Sequence, residues 1–159
     1  MCILIDVNVI SAVFNEEDSR HRDFFPVKGY IESGGGFFVY GGTKYKKELA
    51  ASGIRVMRLV RDMRNTGKVV TIDDAVVDAL EADVIVKTSG TQCDDQHIIA
   101  IIGASSCPLL CSGDYRSFQY IKDRDLYPRG VKRVKIYTTL AHKRLLLRMK
   151  KSVLRNVSS

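Results

Sequence analysis

Acidic residues stand at four places beside apolar segments, where their carboxylates could act together. Asp6 follows CILI directly, and Asp114 follows LLCSG. Glu48 lies in the helix predicted after FFVYGG, and Asp94 and Asp95 begin the helix predicted before LLCSG. Several carboxylates gathered without counter-charge raise one another's pKa values. Divalent cations relieve that repulsion, and Mg²⁺ prefers a few carboxylates together with water and phosphate oxygens.

The elements that must position these residues alternate between strands and helices. Short apolar runs predict strands at 2–5, 37–40, 69–72, 109–112 and 134–137. Helices are predicted at 8–14, 27–32, 43–51, 54–65, 73–86, 94–103, 115–122 and 138–155. Thr43, Asp73 and Asp94 are expected to be the N-caps of the helices that they begin. The three prolines fit loops or element ends. This order predicts a three-layer α/β/α sandwich around a central, mostly parallel sheet of four to five strands. Ligands of such sheets bind beyond the carboxyl ends of the strands, where the acidic residues are expected.

Four motifs in this order resemble the PIN-domain nucleases, which include the VapC-type toxins of bacterial toxin–antitoxin pairs. They are IDVNVISAVF, the glutamate of KYKKELA, DDQHIIAIIGAS and LLCSGDYRSF. The resemblance implies a PIN-like nuclease domain over residues 1–137, followed by a basic helix and tail at 138–159 packed on the same domain. One departure is Arg116, which stands where many relatives carry another acid.

The resemblance also implies roles for individual residues. Catalytic and metal-binding roles fall to Asp6, Glu48, Asp95 and Asp114, with Mg²⁺ or Mn²⁺ as the cofactor; Asp94, Asn8 and Ser112 are secondary candidates. The implied activity is that of an endoribonuclease leaving 5′-phosphate and 3′-hydroxyl ends. His97, inside an apolar helix, is interpreted as a satisfied, half-buried residue.

The net charge of +7 is concentrated near the end of the chain, since residues 126–159 hold ten basic side chains and no Asp or Glu. Such asymmetry favours a polyanionic partner, here RNA. The basic residues expected to contact phosphates are Arg116, Lys132, Arg133, Lys143, Arg144 and Arg148.

Composition limits the location and the partners. No run approaches the roughly 18 apolar residues of a membrane span, and the N-terminus lacks the basic start of a secretory signal, so a cytoplasmic protein with no membrane partner is expected. Its four cysteines lack metal-site spacing and are expected to be reduced. Leu140, Leu147 and Leu154 form a stripe interpreted as packing on the domain, with a homodimer or a partner helix, such as that of an antitoxin, as the alternatives.

The sequence is also compatible with other functions. A catalytically inactive PIN-like module that binds RNA or protein is one alternative, because Arg116 departs from the family pattern. A nuclease acting on DNA is another. A phosphate-receiving signalling domain fits poorly, since it needs paired acids after the first strand, where this chain has Asp6-Val-Asn8.

Overall fold

The computed structural model describes residues 1–147, which contain one sheet of five parallel strands. The strand order is β3-β2-β1-β4-β5, so the chain begins in the middle of the sheet and adds strands on both sides. The strands are β1 (Cys2–Ile5), β2 (Phe37–Gly41), β3 (Val69–Ile72), β4 (Leu109–Cys111) and β5 (Lys135–Tyr137). This arrangement confirms the predicted α/β class.

Helices flank the sheet and complete the α/β/α sandwich. They are α1 (Val7–Phe14), α2 (His21–Glu32), α3 (Thr43–Ala51), α4 (Ile54–Asn65), α5 (Asp74–Lys87), α6 (Gln96–Ser105) and α7 (Phe118–Ile121), with 3-10 helices at Tyr115–Ser117, Arg124–Leu126 and Leu140–His142. Within residues 1–147, none of the helices is both long and apolar enough to cross a bilayer.

The central strands form the middle of the hydrophobic core. Ile3 and Ile5 on β1 and Leu109 and Leu110 on β4 have no exposed surface. Burial of each such side chain contributes about 1.5–3 kcal/mol, which explains why both strands are continuous apolar runs. Strand β3 lies at an edge of the sheet, and its Val70 is 41% exposed. Strands β1 and β4 are therefore buried at the centre of the sheet, and the acidic residues that follow them begin from buried positions.

Helix α2 departs from the sequence prediction, because it begins at His21 rather than at residue 27. Phe24, Val27 and Ile31 are buried at helical spacing, and this apolar stripe extends into a segment that looks polar in the sequence. Pro26 lies inside the helix, so the prediction that every proline falls in a loop or at an element end is wrong for it. Proline cannot donate to the carbonyl four residues earlier, but the buried stripe outweighs the loss of one hydrogen bond.

The start of α3 also differs from the prediction, since Gly42 rather than Thr43 occupies the N-cap position. Gly42 has a φ of +87°, and a Cβ there would lie 2.6 Å from Val77 Cγ1. Glycine is required because α3 begins this close to α5. Thr43 is the first helical residue, and its hydroxyl donates to Asp78 Oδ2 at 2.6 Å. The predicted cap of α5 is confirmed, as Asp73 accepts a hydrogen bond from the backbone of Ala75.

The continuous helix predicted over 138–155 does not begin where expected. Thr139 has extended backbone angles, and a 3-10 helix over Leu140–His142 precedes helical residues 143–147. The Thr138 N–H donates to the His142 ring, which holds this segment as a turn after β5. Leu146 is 6% exposed within the core, whereas Leu147, a member of the predicted leucine stripe, is 57% exposed. The remainder of the predicted helix, 148–155, lies outside the described residues.

Candidate acidic site

The register between β1 and β4 places Asp6 beside Ser112. Ile5 pairs with Cys111, and the Asp6 N–H donates to the Cys111 carbonyl at 2.9 Å, which continues the ladder by one residue. The Ser112 hydroxyl then donates to Asp6 Oδ2 at 3.0 Å. The other carboxylate oxygen caps α1 by accepting the Asn8 N–H at 3.2 Å. One oxygen of Asp6 is thus held by a backbone N–H and the other by the Ser112 hydroxyl.

Burial changes the acidity of Asp6, whose exposed fraction is only 5%. Loss of hydration raises the pKa of its carboxyl, and the nearby charge of Asp95 raises it further. The hydrogen bonds from Asn8 and Ser112 act in the opposite direction without cancelling the rise. In the absence of a cation, Asp6 therefore holds a proton more tightly than an ordinary aspartate does.

Ser117 connects Asp114 with Asp95. Asp114 precedes the 3-10 helix Tyr115–Ser117, and Asp95 occupies the N-cap position of α6. The Ser117 hydroxyl is a hydrogen-bond partner of Asp95 Oδ2 and also lies 3.3 Å from Asp114 Oδ2. One hydroxyl carries one proton, so it can donate to only one carboxylate at a time. Burial raises the pKa of Asp95, and the charges of neighbouring carboxylates add to that rise.

Asp94 brings a third carboxylate to this place. Oxygens of Asp94, Asp95 and Asp114 all lie within 4.8 Å of one another. Oxygen ligands of a divalent ion stand about 2.0–2.6 Å from it, so opposite ligands are about 4–5 Å apart, and the group fits one cation. The cap predicted at Asp94 is wrong, because α6 begins one residue later. Lys44 Nζ donates to the backbone carbonyl of Asp94 at 3.0 Å and not to a carboxylate.

Glu48 is held by His97. Tyr45, fully buried on α3, donates its hydroxyl hydrogen to the carbonyl of Ile5, which anchors α3 against the end of β1. Glu48 follows within one helical turn, and its Oε2 lies 3.0 Å from His97 Nε2. His97 is 2% exposed, and its Nδ1 is buried with no hydrogen-bond partner among the described residues. The interpretation of His97 as satisfied and half-buried is therefore wrong.

The predicted acidic residues lie at one edge of the sheet, but they do not form a single cluster. Asp6 and Asp114 are linked through Ser112, whose oxygen also accepts the Asp114 N–H at 3.2 Å. Asp6 and Glu48, both predicted as metal ligands, lie outside the three-carboxylate group. A positive charge on His97, the partner of Glu48, would lower the pKa of Asp6. Three of the carboxylates, those of Asp94, Asp95 and Asp114, thus converge, while Asp6 lies behind them on the end of β1 and contacts the backbone of Asp114 through Ser112.

The predicted basic residues lie outside this site or at its rim. Arg116 Nε is 3.3 Å from Asp114 Oδ1, but 87% of the Arg116 side chain is exposed. An exposed pair of this kind is worth about 0–1 kcal/mol, so Arg116 can move away without a large cost. Four other basic residues predicted to contact phosphates are exposed: Lys132, Arg133, Lys143 and Arg144. Arg148 lies outside the described residues.

Sequence reasoning missed the role of Ser117. The only signal was a hydroxyl three residues after Asp114, a spacing that is also common in simple turns. Its contact with Asp95 joins segments distant in the chain and cannot be read from local spacing. The partner of His97 is hidden for the same reason, since Glu48 lies on another helix.

No family model, curated protein or solved structure matches this chain. A functional conclusion therefore depends on the residues themselves and on the geometry described above.

Proposed function

We propose that this protein is a metal-dependent endoribonuclease of the PIN-like type. The observation that carries the proposal is the meeting of three carboxylates within 4.8 Å at the carboxyl edge of a parallel sheet. Two of them, Asp95 and Asp114, are half-buried, and the buried Asp6 is linked to Asp114 through Ser112. An acidic group at this edge of the fold lies where ligands of parallel α/β sheets bind.

The donor set fits a hard divalent cation. All the converging side chains offer carboxylate oxygens, which suit Mg²⁺ and Mn²⁺ better than thiolate-seeking metals. Burial raises the pKa of both Asp6 and Asp95, a cost of charging them that a nearby cation relieves. Asp95, Asp114 and Asp94 would hold the ion, with Asp6 as the deeper carboxylate. When bound, the ion supplies charge stabilisation for the scissile phosphate and lowers the pKa of a water molecule.

The remaining side chains would act through orientation. Ser112 and the Asn8 N–H fix the two oxygens of Asp6, and Ser117 fixes Asp95. Glu48, held by His97 and with 39% of its side chain exposed, has an oxygen that can accept a hydrogen bond from water at the site entrance. Partners of this kind typically contribute about 10–100-fold in metal affinity or activity.

RNA as the substrate is supported by charge and by the resemblance to PIN-domain nucleases. Exposed cations, including Arg116, Lys132 and Arg133, lie on the segment that follows the acidic site. Phosphate groups of a single RNA strand would bind to these cations, which would place the neighbouring part of the RNA close to the carboxylates. A role as the toxin of a toxin–antitoxin pair extends the same proposal and would be tested by co-purification with a small antitoxin.

The test is a cleavage assay with labelled RNA and with a DNA strand of the same sequence. We expect cleavage of RNA with Mn²⁺ or Mg²⁺, none in excess EDTA, and a loss of at least about a thousandfold in Asp114→Asn. Asp62→Asn is the matched control, because that side chain is 70% exposed on α4. Activity that persists in EDTA or in Asp114→Asn would reject the mechanism, and cleavage of DNA alone would reject the substrate.

A second candidate function is a PIN-like module that binds RNA or protein without catalysis. The pairing of Arg116 with Asp114 favours this function, since the guanidinium can take the place of a metal ion beside the carboxylate. Calorimetry with Mn²⁺ separates the two functions. Heat of binding that disappears in Asp114→Asn supports the nuclease, whereas no binding at millimolar Mn²⁺ supports the inactive module.

A further inference from the structure

A cavity of about 630 Å³ lies beside β5, next to the acidic site. Its size falls within the roughly 300–1,000 Å³ typical of small-molecule sites. Tyr115 lines it and directly follows Asp114, while Ser117 of the same 3-10 helix contacts Asp95. One short helix therefore faces the carboxylates with one residue and the cavity with another.

The charged residues that line the cavity are all basic among those described. They come from the end of α7, from the 3-10 helix Arg124–Leu126, from the loop before β5 and from β5 itself: Lys122, Arg124, Arg133 and Lys135. His142 also lines the cavity, and its Nδ1 accepts the Thr138 N–H at 3.1 Å. This lining is complementary to an anion and opposite in sign to the neighbouring carboxylates.

Aromatic rings form another part of the lining. The ring centroids of Tyr115 and Phe118 are 5.1 Å apart at 46°, and the Tyr115 hydroxyl is hydrogen-bonded to Thr138 at 2.9 Å. Tyr115 is nevertheless 65% exposed, so a fixed aromatic face is presented to solvent. A flat, heteroaromatic ligand can stack on such a face with little loss of entropy.

We propose that this cavity binds one nucleotide of the RNA strand, with the base against Tyr115 and the phosphate near Arg133 and Lys135. The combination of a fixed ring and an all-basic lining matches a group that is aromatic at one end and anionic at the other. The inference rests on the proposed function and deepens it, because it assigns the subsite that holds the strand next to the cut.

The test measures binding without cleavage. A fluorescein-labelled single-stranded RNA of twelve nucleotides is titrated with the full chain in EDTA, and its anisotropy is followed at several salt concentrations. The variant Arg133→Ala/Lys135→Ala is compared with Arg55→Ala/Arg58→Ala, which removes the same charge from exposed positions of α4, toward the opposite edge of the sheet. Thermal unfolding of each variant confirms that it is folded.

We expect the cavity variant to bind several-fold more weakly and to lose about 0.7 from the logarithmic salt slope for each phosphate contact removed. The α4 variant should bind like the unaltered protein. Tyr115→Leu should weaken binding at least about fivefold, whereas Phe25→Leu, which alters a ring 47% exposed on α2, should not.

Equal binding by the two double variants would overturn the assignment of the cavity, and so would an effect of the charges without any effect of Tyr115. Absence of RNA binding by the unaltered protein would overturn it as well. None of these outcomes decides whether the acidic site cuts RNA, since cleavage with and without metal is measured separately. A cavity that binds RNA in a chain without metal-dependent cleavage would instead refute the nuclease.

Discussion

The acidic site and the basic cavity are neighbours of opposite design. The carboxylates of Asp6, Asp95 and Asp114 come from distant segments and are held by buried hydroxyls, with loss of hydration raising the pKa of the first two. The cavity draws its cations from one stretch near the end of the chain, and Arg133 and Lys135 are exposed. The acidic site concentrates negative charges that repel one another, while the basic cavity spreads positive charges that are exposed to water.

This difference predicts how each region responds to substitution. A buried carboxylate with fixed partners has no substitute, so its loss should abolish the function that depends on it. An exposed cation near others is worth about 0–1 kcal/mol, so single losses in the cavity should be tolerated.

Asp6→Asn should have the largest effect. The amide keeps the shape of the side chain and can still accept the Asn8 N–H, but it removes the deepest negative charge of the site. We expect metal-dependent cleavage to fall by at least about a thousandfold, measured as kcat/KM on labelled RNA. Arg133→Ala under the same conditions should lose less than about tenfold. Similar losses in both variants would refute the distinction between the two regions.

Ser117→Ala should have an intermediate effect. Its hydroxyl is a partner of both Asp95 and Asp114, and without it Asp95 loses the side-chain contact that orients it, while Asp114 keeps the backbone N–H of Arg116. Mn²⁺ affinity measured by calorimetry should fall about 10–100-fold. Ser89→Ala, at an exposed position after α5, is the control. Unchanged affinity in Ser117→Ala would mean that the carboxylates are placed by the backbone alone.

The Glu48–His97 pair should show a smaller and non-additive effect. His97 is interpreted as a positioning residue, since it contacts Glu48 through Nε2 and is nearly inaccessible. Glu48→Gln and His97→Asn should each lower kcat by about tenfold with little change in KM, and the double variant should be no worse than either. Fully additive losses would show that the two residues act independently.

The smallest effect concerns stability against pH. The folded pKa of Asp6 lies above its unfolded value, so the folded state binds the proton more tightly and loses stability as pH rises through the folded pKa. In EDTA, Asp6→Asn should therefore have the higher relative Tm at pH 7.5, and its advantage should narrow as the pH falls. The Tm of Arg133→Ala relative to the unaltered protein should not change as the pH falls. An advantage of Asp6→Asn that grows toward low pH would contradict the raised pKa.

Much of the fold could be predicted from the sequence, because its strands are short and continuously apolar. Strands β1 and β3 and helix α4 have the predicted bounds. The start of α2 was hidden, since its buried Phe24 stands among charged residues, and the turn after β5 depends on the contact between Thr138 and the His142 ring. Local patterns identify an element well, but they do not fix ends that are set by tertiary contacts.

The candidate site could be predicted only in part, for the same reason. Strand order and register bring Asp6 and Asp114 to one edge, and this follows from the alternation of strands and helices. The inclusion of Asp94 beside Asp95, and the link through Ser117, depend on side-chain positions at a helix start. Sequence spacing gives no measure of these distances.

Anomalous diffraction from crystals grown with Mn²⁺ would show whether the carboxylates bind a metal, because it locates the ion without reference to activity. We expect a manganese peak within bonding distance of carboxylate oxygens of Asp95 and Asp114, and no peak there in Asp114→Asn. If no manganese peak lies at this group at a Mn²⁺ concentration that supports cleavage, the proposed metal site is refuted.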